Sequence, residues 1–297
     1  MLETLAAGQL LFAALALGAL YALVALGLNL VYGTMRLLNV AHGDLVMLGG
    51  YATYWAFAAA GIPPLAAVLL TASGGAALGA GAYRGLFRRL LAAPRATARI
   101  EANSLLAFFG LSVIVQNLAA LAFTATPRGY EYLSGVVRIG EVAVTGGRLA
   151  AVALALALCA AVLAFLRRHV LGLAMRALVE QREAAAVVGV DIDRAQRASF
   201  VLGFGTAAVA GTLLSMTEQV SPFMGFPITI AAFVVVIMGG LGRIEGTLAA
   251  AFLLGAIETY GVALTSPTYR SILVYGLFVT VLLVRPQGLL GRRAIVR

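Results

Sequence analysis

Very few side chains in this sequence can do chemistry. Residues 39–51 read NVAHGDLVMLGGY and place Asn39, His42 and Asp44 within six positions, directly before the uncharged run ATYWAFAAAG. Gln116 and Asn117 lie within the apolar stretch 104–124, Glu218 and Gln219 follow the stretch 198–217, and Glu258 lies inside 246–264. Amide, imidazole and carboxylate groups in such runs can hydrogen-bond a polar solute or one another. On an insertion scale a mid-membrane Asp costs roughly 2.5–3.5 kcal/mol, while a Leu returns only about 0.3–0.6 kcal/mol. Ionisable residues placed there face a cavity or a partner. Asn39, His42, Asp44, Gln116, Asn117, Glu218 and Glu258 are therefore candidates for lining a solute path, with interhelical hydrogen bonding as the alternative. At about 100° per residue, Asn39, His42, Gly43 and Gly50 share one helix face, whereas Asp44 points away with Met47 and Tyr51. Either two neighbours are served, or the segment breaks near Gly43.

Other chemistries find no residues. His42 and His169 are the only histidines and Cys159 the only cysteine, too few for a metal set or a disulfide framework. All 21 basic residues are arginine. Without lysine there is no P-loop lysine for nucleotide hydrolysis and no amine for a Schiff base. No Ser/His/Asp or paired-carboxylate arrangement stands out, so no enzyme activity and no cofactor is expected. GGLGRIEG at 239–246 has the wrong spacing for a dinucleotide loop and follows no strand, so a tight turn between helices accounts for it better.

The elements that must position the polar residues follow from composition. The 297 residues are 62% hydrophobic and 11% charged, with mean hydropathy +1.00. A soluble chain carries about 25% charged residues. The expected fold is all-α: a polytopic transmembrane helical bundle forming one domain over 1–297. About 20 apolar residues cross the hydrocarbon core. That rule places helices near 8–31, 40–60, 65–83, 104–124, 148–166, 198–217, 227–241, 246–264 and 270–284, or eight to ten spans with nine the best estimate. The start, MLETLAAGQLLF, has no basic segment and reads as a retained first helix. With nine alternating spans and the N-terminus outside, only Arg128, Arg138, Arg148 and Arg270 fall outside. The other seventeen arginines fall on the cytoplasmic side with the C-terminus, as the positive-inside rule requires. These basic blocks flank membrane helices and suit anionic lipid rather than nucleic acid. On this topology Asn39, His42 and Asp44 form a glycine-broken helix start near the inner gate. Gly203, Ala207 and Gly211 repeat at i+4, as do Gly75 and Gly79, a spacing that lets helices approach closely. Segment 125–147, with alternating Val and Ile among glycines, predicts a short outer hairpin.

Loop 167–197 reads RRHVLGLAMRALVEQREAAAVVGVDIDRAQR, with the mixed charge and alanine content of short amphipathic helices outside the bilayer. Glu183, Ala184, Ala185 and Gly189 form an EAAxxxG pattern that resembles the coupling loop of ABC importer permeases. The resemblance extends further. GALYALVALGLNLVYGTMRLLNVAHGDLVMLGGY, SPFMGFPITIAAFVVVIMGGLGRIEG and VRPQGLLG together resemble the LivH-type permeases of branched-chain amino-acid ABC importers. Asn39, Ala41, His42 and Gly43 match that family's N-x-A-H-G element. Ala231 departs from it, standing where many relatives carry a basic residue.

The resemblance implies a multi-pass subunit of the bacterial cytoplasmic (inner) membrane. Its implied partners are a second homologous permease subunit, two cytoplasmic ATP-binding subunits and a periplasmic solute-binding protein. It also implies that loop residues Arg176, Glu180, Glu183, Ala184, Ala185 and Gly189 couple to an ATPase. Permeases for urea and short amides share these motifs, and an ion-coupled secondary transporter would be equally apolar.

Overall fold

The computed structural model describes residues 8–87, 100–284 and Gly288. Each of the nine predicted spans is helical. α1 is Gly8–Met35, α2 His42–Ala60, α3 Pro64–Ala82 and α4 Ile100–Phe123. A hairpin of β1 (Val136–Ile139) and β2 (Val142–Thr145) follows, with Val136 opposite Thr145 and the turn at Gly140. Beyond it come α5 Gly146–Arg168, α6 Val170–Glu180, α7 Arg182–Val187, α8 Ile192–Ser215, α9 Gly225–Gly239, α10 Ile244–Leu264 and α11 Arg270–Val284. A π-turn, Tyr83–Phe87, extends α3.

The ends of these helices follow local chemistry. Gly61 closes α2 in the left-handed conformation, and Pro64 opens α3 at a position that needs no N–H. Asp191 caps α8 by accepting from the Arg194 N–H, so α8 begins six residues before the predicted 198. The C-terminal tail 289–297 and the basic stretch 88–99 lie outside the described residues.

Not every helix has the length and apolarity of a full crossing. Among the described residues seven helical stretches are long and apolar enough to span a bilayer; α2 and α9 are not among them. α9 has 15 residues, about 22 Å at 1.5 Å per residue against a hydrocarbon core of about 30 Å. Both are preceded by irregular chain that folds back beside the helix before it. Arg36, with φ 55°, turns the chain after α1, and His42 lies against Val24, eleven residues or about 16 Å short of the end of α1. His42 and Asp44 therefore lie deeper than the inner gate expected from the sequence, and α2 begins at His42 without a break at Gly43.

The polar helix starts belong to two units of similar build and opposite direction. α1–α2–α3 and α8–α9–α10 each comprise a long helix, a fold-back, a helix starting at depth and a further helix. α1 and α8 cross at Gly27 and Gly203, and run antiparallel, since Gln196 donates to the Thr34 carbonyl. α10 packs along α1, with Gly255 on Gly18 and Asn29 on Thr247. α3 packs along α8 in the same way, with Gly75 on Phe204 and Gly79 on Phe200. These are the two most extensive helix pairs in the bundle. α2 runs toward the hairpin end, where Phe57 meets Tyr130 and Tyr132; α9 runs to the opposite end, where Gly239 abuts Gly246. The arrangement is an inverted repeat.

The small-residue spacings are thus packing features. Leucine at Gly75 would force α3 off α8, because a Cβ there lies 2.7 Å from the Phe204 carbonyl, whereas Gly74 faces open space. G75L should lower the thermal midpoint in detergent by many degrees, and G74L should leave it within experimental scatter. Equal midpoints would show that the α3–α8 contact is not tight. At the hairpin end Tyr54, Trp55, Phe57 and Tyr130 cluster, with Arg128 5.7 Å from the Trp55 ring, an aromatic group of the kind found at membrane interfaces. Exposed leucines on the outer helix faces, such as Leu69, Leu106 and Leu121, suit lipid or another helical subunit.

Candidate translocation site

The starts of α2 and α9 meet inside the bundle. The Gly43 N–H donates to Thr229 Oγ at 2.8 Å, and that hydroxyl reaches the Val40 carbonyl at 2.9 Å. A Cβ at Gly43 would strike the Gly225 carbonyl, so glycine is required for the contact. Asp44 lies against Gly225, the first residue of α9, where unpaired N–H groups favour a carboxylate. Its Oδ1 also accepts from Gln116 Nε2 at 3.0 Å, and the Gln116 amide is in turn held by Ser112. A helix end and an amide reduce the cost of an aspartate at this depth.

His42 faces another neighbour. Its Nε2 donates to the Val24 carbonyl at 3.0 Å, which requires the proton on that nitrogen. Of the two sequence alternatives, then, the segment serves two neighbours, α1 through His42 and α4 with α9 through Asp44. Asn39, His42 and Asp44 are each no more than 1% exposed. Both side-chain atoms of Asn39, His42 Nδ1, Asp44 Oδ2 and the Tyr51 hydroxyl have no hydrogen-bond partner among the described residues. Buried polar groups are normally satisfied, so five orphaned atoms within residues 39–51 suit a polar visitor or ordered water.

The other predicted residues disperse. Gln116 joins Asp44, but its neighbour Asn117 is exposed on the outer face of α4 and bonds only to the Val113 carbonyl. Glu258 is 2% exposed and forms a second cluster, pairing with Arg270 Nε and accepting from the Tyr21 hydroxyl at 2.8 Å. Glu218 is exposed nearby, on the rim of a cavity lined also by Tyr21 and Arg270.

The loop residues also divide. Arg176 and Glu180 on α6 line a groove of about 490 Å³ beneath the 240–246 turn. Glu183 and Ala184 on α7 are exposed, whereas Ala185 is buried against the chain itself. Gly189 takes φ +84°, and Val190 N–H bonds the Ala185 carbonyl, so the EAAxxxG glycine ends α7 in a left-handed cap.

Several residues that shape the site were not singled out from the sequence. Asn29 is 1% exposed, donates to Thr247 and accepts from the Gly242 N–H, tying the 240–246 turn to α1. Thr212 joins Thr53 and Thr71 in a buried triad across α2, α3 and α8. A lone Asn in the run GLNLVYG was the available signal for the first; single threonines in apolar runs give almost none.

The comparisons with known proteins fit this arrangement. The family described as "Branched-chain amino acid transport system / permease component" matches residues 10–282. The chain belongs to that permease family. It is 32% identical to the LivH permease protein of the high-affinity branched-chain amino acid transport system of Salmonella typhimurium, over 295 residues covering 96% of this chain and 95% of the relative. LivH of Escherichia coli K12 gives the same identity and coverage, and BraD of Pseudomonas aeruginosa is 30% identical over 295 residues, again 96% and 95%. No solved structure matches the chain. The permease is a multi-pass, all-α inner-membrane protein, homologous to transport permease components.

Proposed function

We propose that the permease forms one half of the membrane pathway of a binding-protein-dependent ABC importer for branched-chain, hydrophobic amino acids. On this reading its N-terminus faces outward, a second homologous permease completes the pathway, and a periplasmic protein delivers the solute. ATP hydrolysis in two separate cytoplasmic subunits drives the cycle through segment 167–197. The observation that carries the reading is the meeting of α2 and α9 at depth, with orphaned polar atoms beside them, in a chain of this family. Helices interrupted at mid-membrane are where transporters place solute groups. Asn39, His42, Asp44 and Gln116 would line the path, and α6–α7 would receive the ATPase. Nucleotide can shift the bundle only through contacts that differ between its states, and Val187 and Val188, 87% and 77% exposed, offer such contacts.

The test is reconstitution of both permeases with the ATP-binding subunits and the solute-binding protein. Leucine uptake should require ATP. V187D or G189V should cut it at least tenfold while thermal stability stays near wild type. Urea uptake without leucine uptake would assign a different solute. Uptake that follows an ion gradient in the absence of the ATP-binding subunits would make this a secondary transporter.

A further inference from the structure

A second cavity lies between α9 and the start of α11, with Tyr21 of α1 on its wall. It measures about 270 Å³, close to the lower end of the roughly 300–1,000 Å³ usual for small-molecule pockets. Its wall combines opposite charges with an apolar floor. Arg270 opens α11, its side chain 48% exposed, and Glu218 stands on the rim of the same cavity. Ile228, Ala231 and Val274 supply the floor.

Arg270 is held from behind. Glu258, 2% exposed, takes Nε, while the Tyr21 hydroxyl lies 3.4 Å from one Nη and donates to the other Glu258 oxygen. A guanidinium has five N–H donors in a fixed fork, so this anchoring engages two and leaves donors for a further carboxylate. A buried pair with a half-exposed arginine is a costly way to brace two helices, since an apolar contact of the same size does so at less desolvation cost.

We propose that this cavity is a recognition pocket for a zwitterionic α-amino acid with an apolar side chain: Arg270 receives the carboxylate, Glu218 the ammonium and the Ile228–Val274 floor the side chain. The pocket is lined by none of the residues of the Asp44 cluster. The assignment rests on the transport reading above and deepens it. It favours an amino acid over urea, which has neither charge to offer.

A thiol placed in the wall tests this directly, because Cys159 is the only native cysteine and is buried. Ser271 lines the cavity and is exposed. In the purified, assembled transporter, millimolar leucine should slow maleimide labelling of the S271C variant at least threefold. Isovalerate, leucinamide and urea, each lacking one charge or both, should not. Adding R270K should remove the protection, because an ammonium lacks the planar fork. E218Q, a rim change that leaves the packed interior untouched, should weaken it severalfold. Unchanged labelling with leucine, equal protection by isovalerate or urea, or protection that survives both substitutions would each overturn the proposal. Leucine uptake by the same preparation is scored separately. Protection without uptake would refute the importer reading and keep the pocket; uptake without protection would do the reverse.

Discussion

Leucine in place of Gly203 should leave almost no folded permease in the membrane. Gly203 and Gly27 form a reciprocal contact: a Cβ on Gly203 would sit 2.7 Å from the Gly27 carbonyl, and a Cβ on Gly27 would sit 2.7 Å from the Gly203 carbonyl. Forcing extra methylenes into a packed interior typically costs about 1–3 kcal/mol when side chains can move aside. Here the obstacle is backbone on the facing helix, with Val31 closing the remaining space, so α1 and α8 must part. Each also carries a major partner, α10 on α1 and α3 on α8, so the displacement spreads through both repeats. Membrane-fraction yield and a monodisperse gel-filtration peak are the measurements. G203L at more than half the wild-type yield would mean that the crossing is not as close as described, and G203A should fall between the two.

The second large effect concerns Asp44. D44L removes the carboxylate from the start of α9, a loss of up to about 2 kcal/mol in partly buried geometries. It also strands the Gln116 amide, which costs roughly 1–3 kcal/mol when no other partner replaces it. A combined destabilisation of about 3–5 kcal/mol is expected, visible as a clear drop in thermal midpoint. D44N keeps an acceptor for Gln116 and loses only the charge, so it should lose no more than about 2 kcal/mol. Leucine uptake should fall at least tenfold in both. A D44N protein as stable as wild type would leave the charge without a role and contradict the helix-end account, whereas one as unstable as D44L would reduce the Gln116 hydrogen bond to a minor role. Full uptake by D44N would remove Asp44 from the path.

Much of the scaffold was legible before any coordinates. Apolar run length gave nine helical segments close to where they occur, the glycine-alternating segment gave the hairpin, and GGLGRIEG gave a turn, now seen with Gly240 and Gly242 at positive φ. The i+4 glycines gave helix contacts because close approach in lipid depends on residue size, which a sequence states outright. Depth was not legible. Hydropathy counts residues along the chain, so six residues that turn back beside α1 look the same as six that leave the membrane. That is why His42 was expected near the inner gate and lies against Val24.

The candidate site divided along the same line. Residue type and helical angle separated His42 from Asp44 correctly, because both are local properties. The partners Gln116, Gly225 and Thr229 are 72 to 186 residues distant, or nearly so, and no local pattern links them. Glu258 attracted attention as an ionisable residue in a span, but Arg270 was only an arginine on the outer side. Their pairing depends on the short turn between α10 and α11, which brings two charges from different spans onto one wall.

The reciprocal contact at Gly27 and Gly203 has one more consequence. Two units of like build that face in opposite directions need not hold the same conformation. α2 has 19 residues and α9 has 15, so the pair is asymmetric as it stands. A contact of backbone on backbone has no side chain that must repack when the helices change angle. The crossing of the two glycines is therefore a bearing, close enough to hold α1 on α8 and bare enough to let one unit tilt against the other.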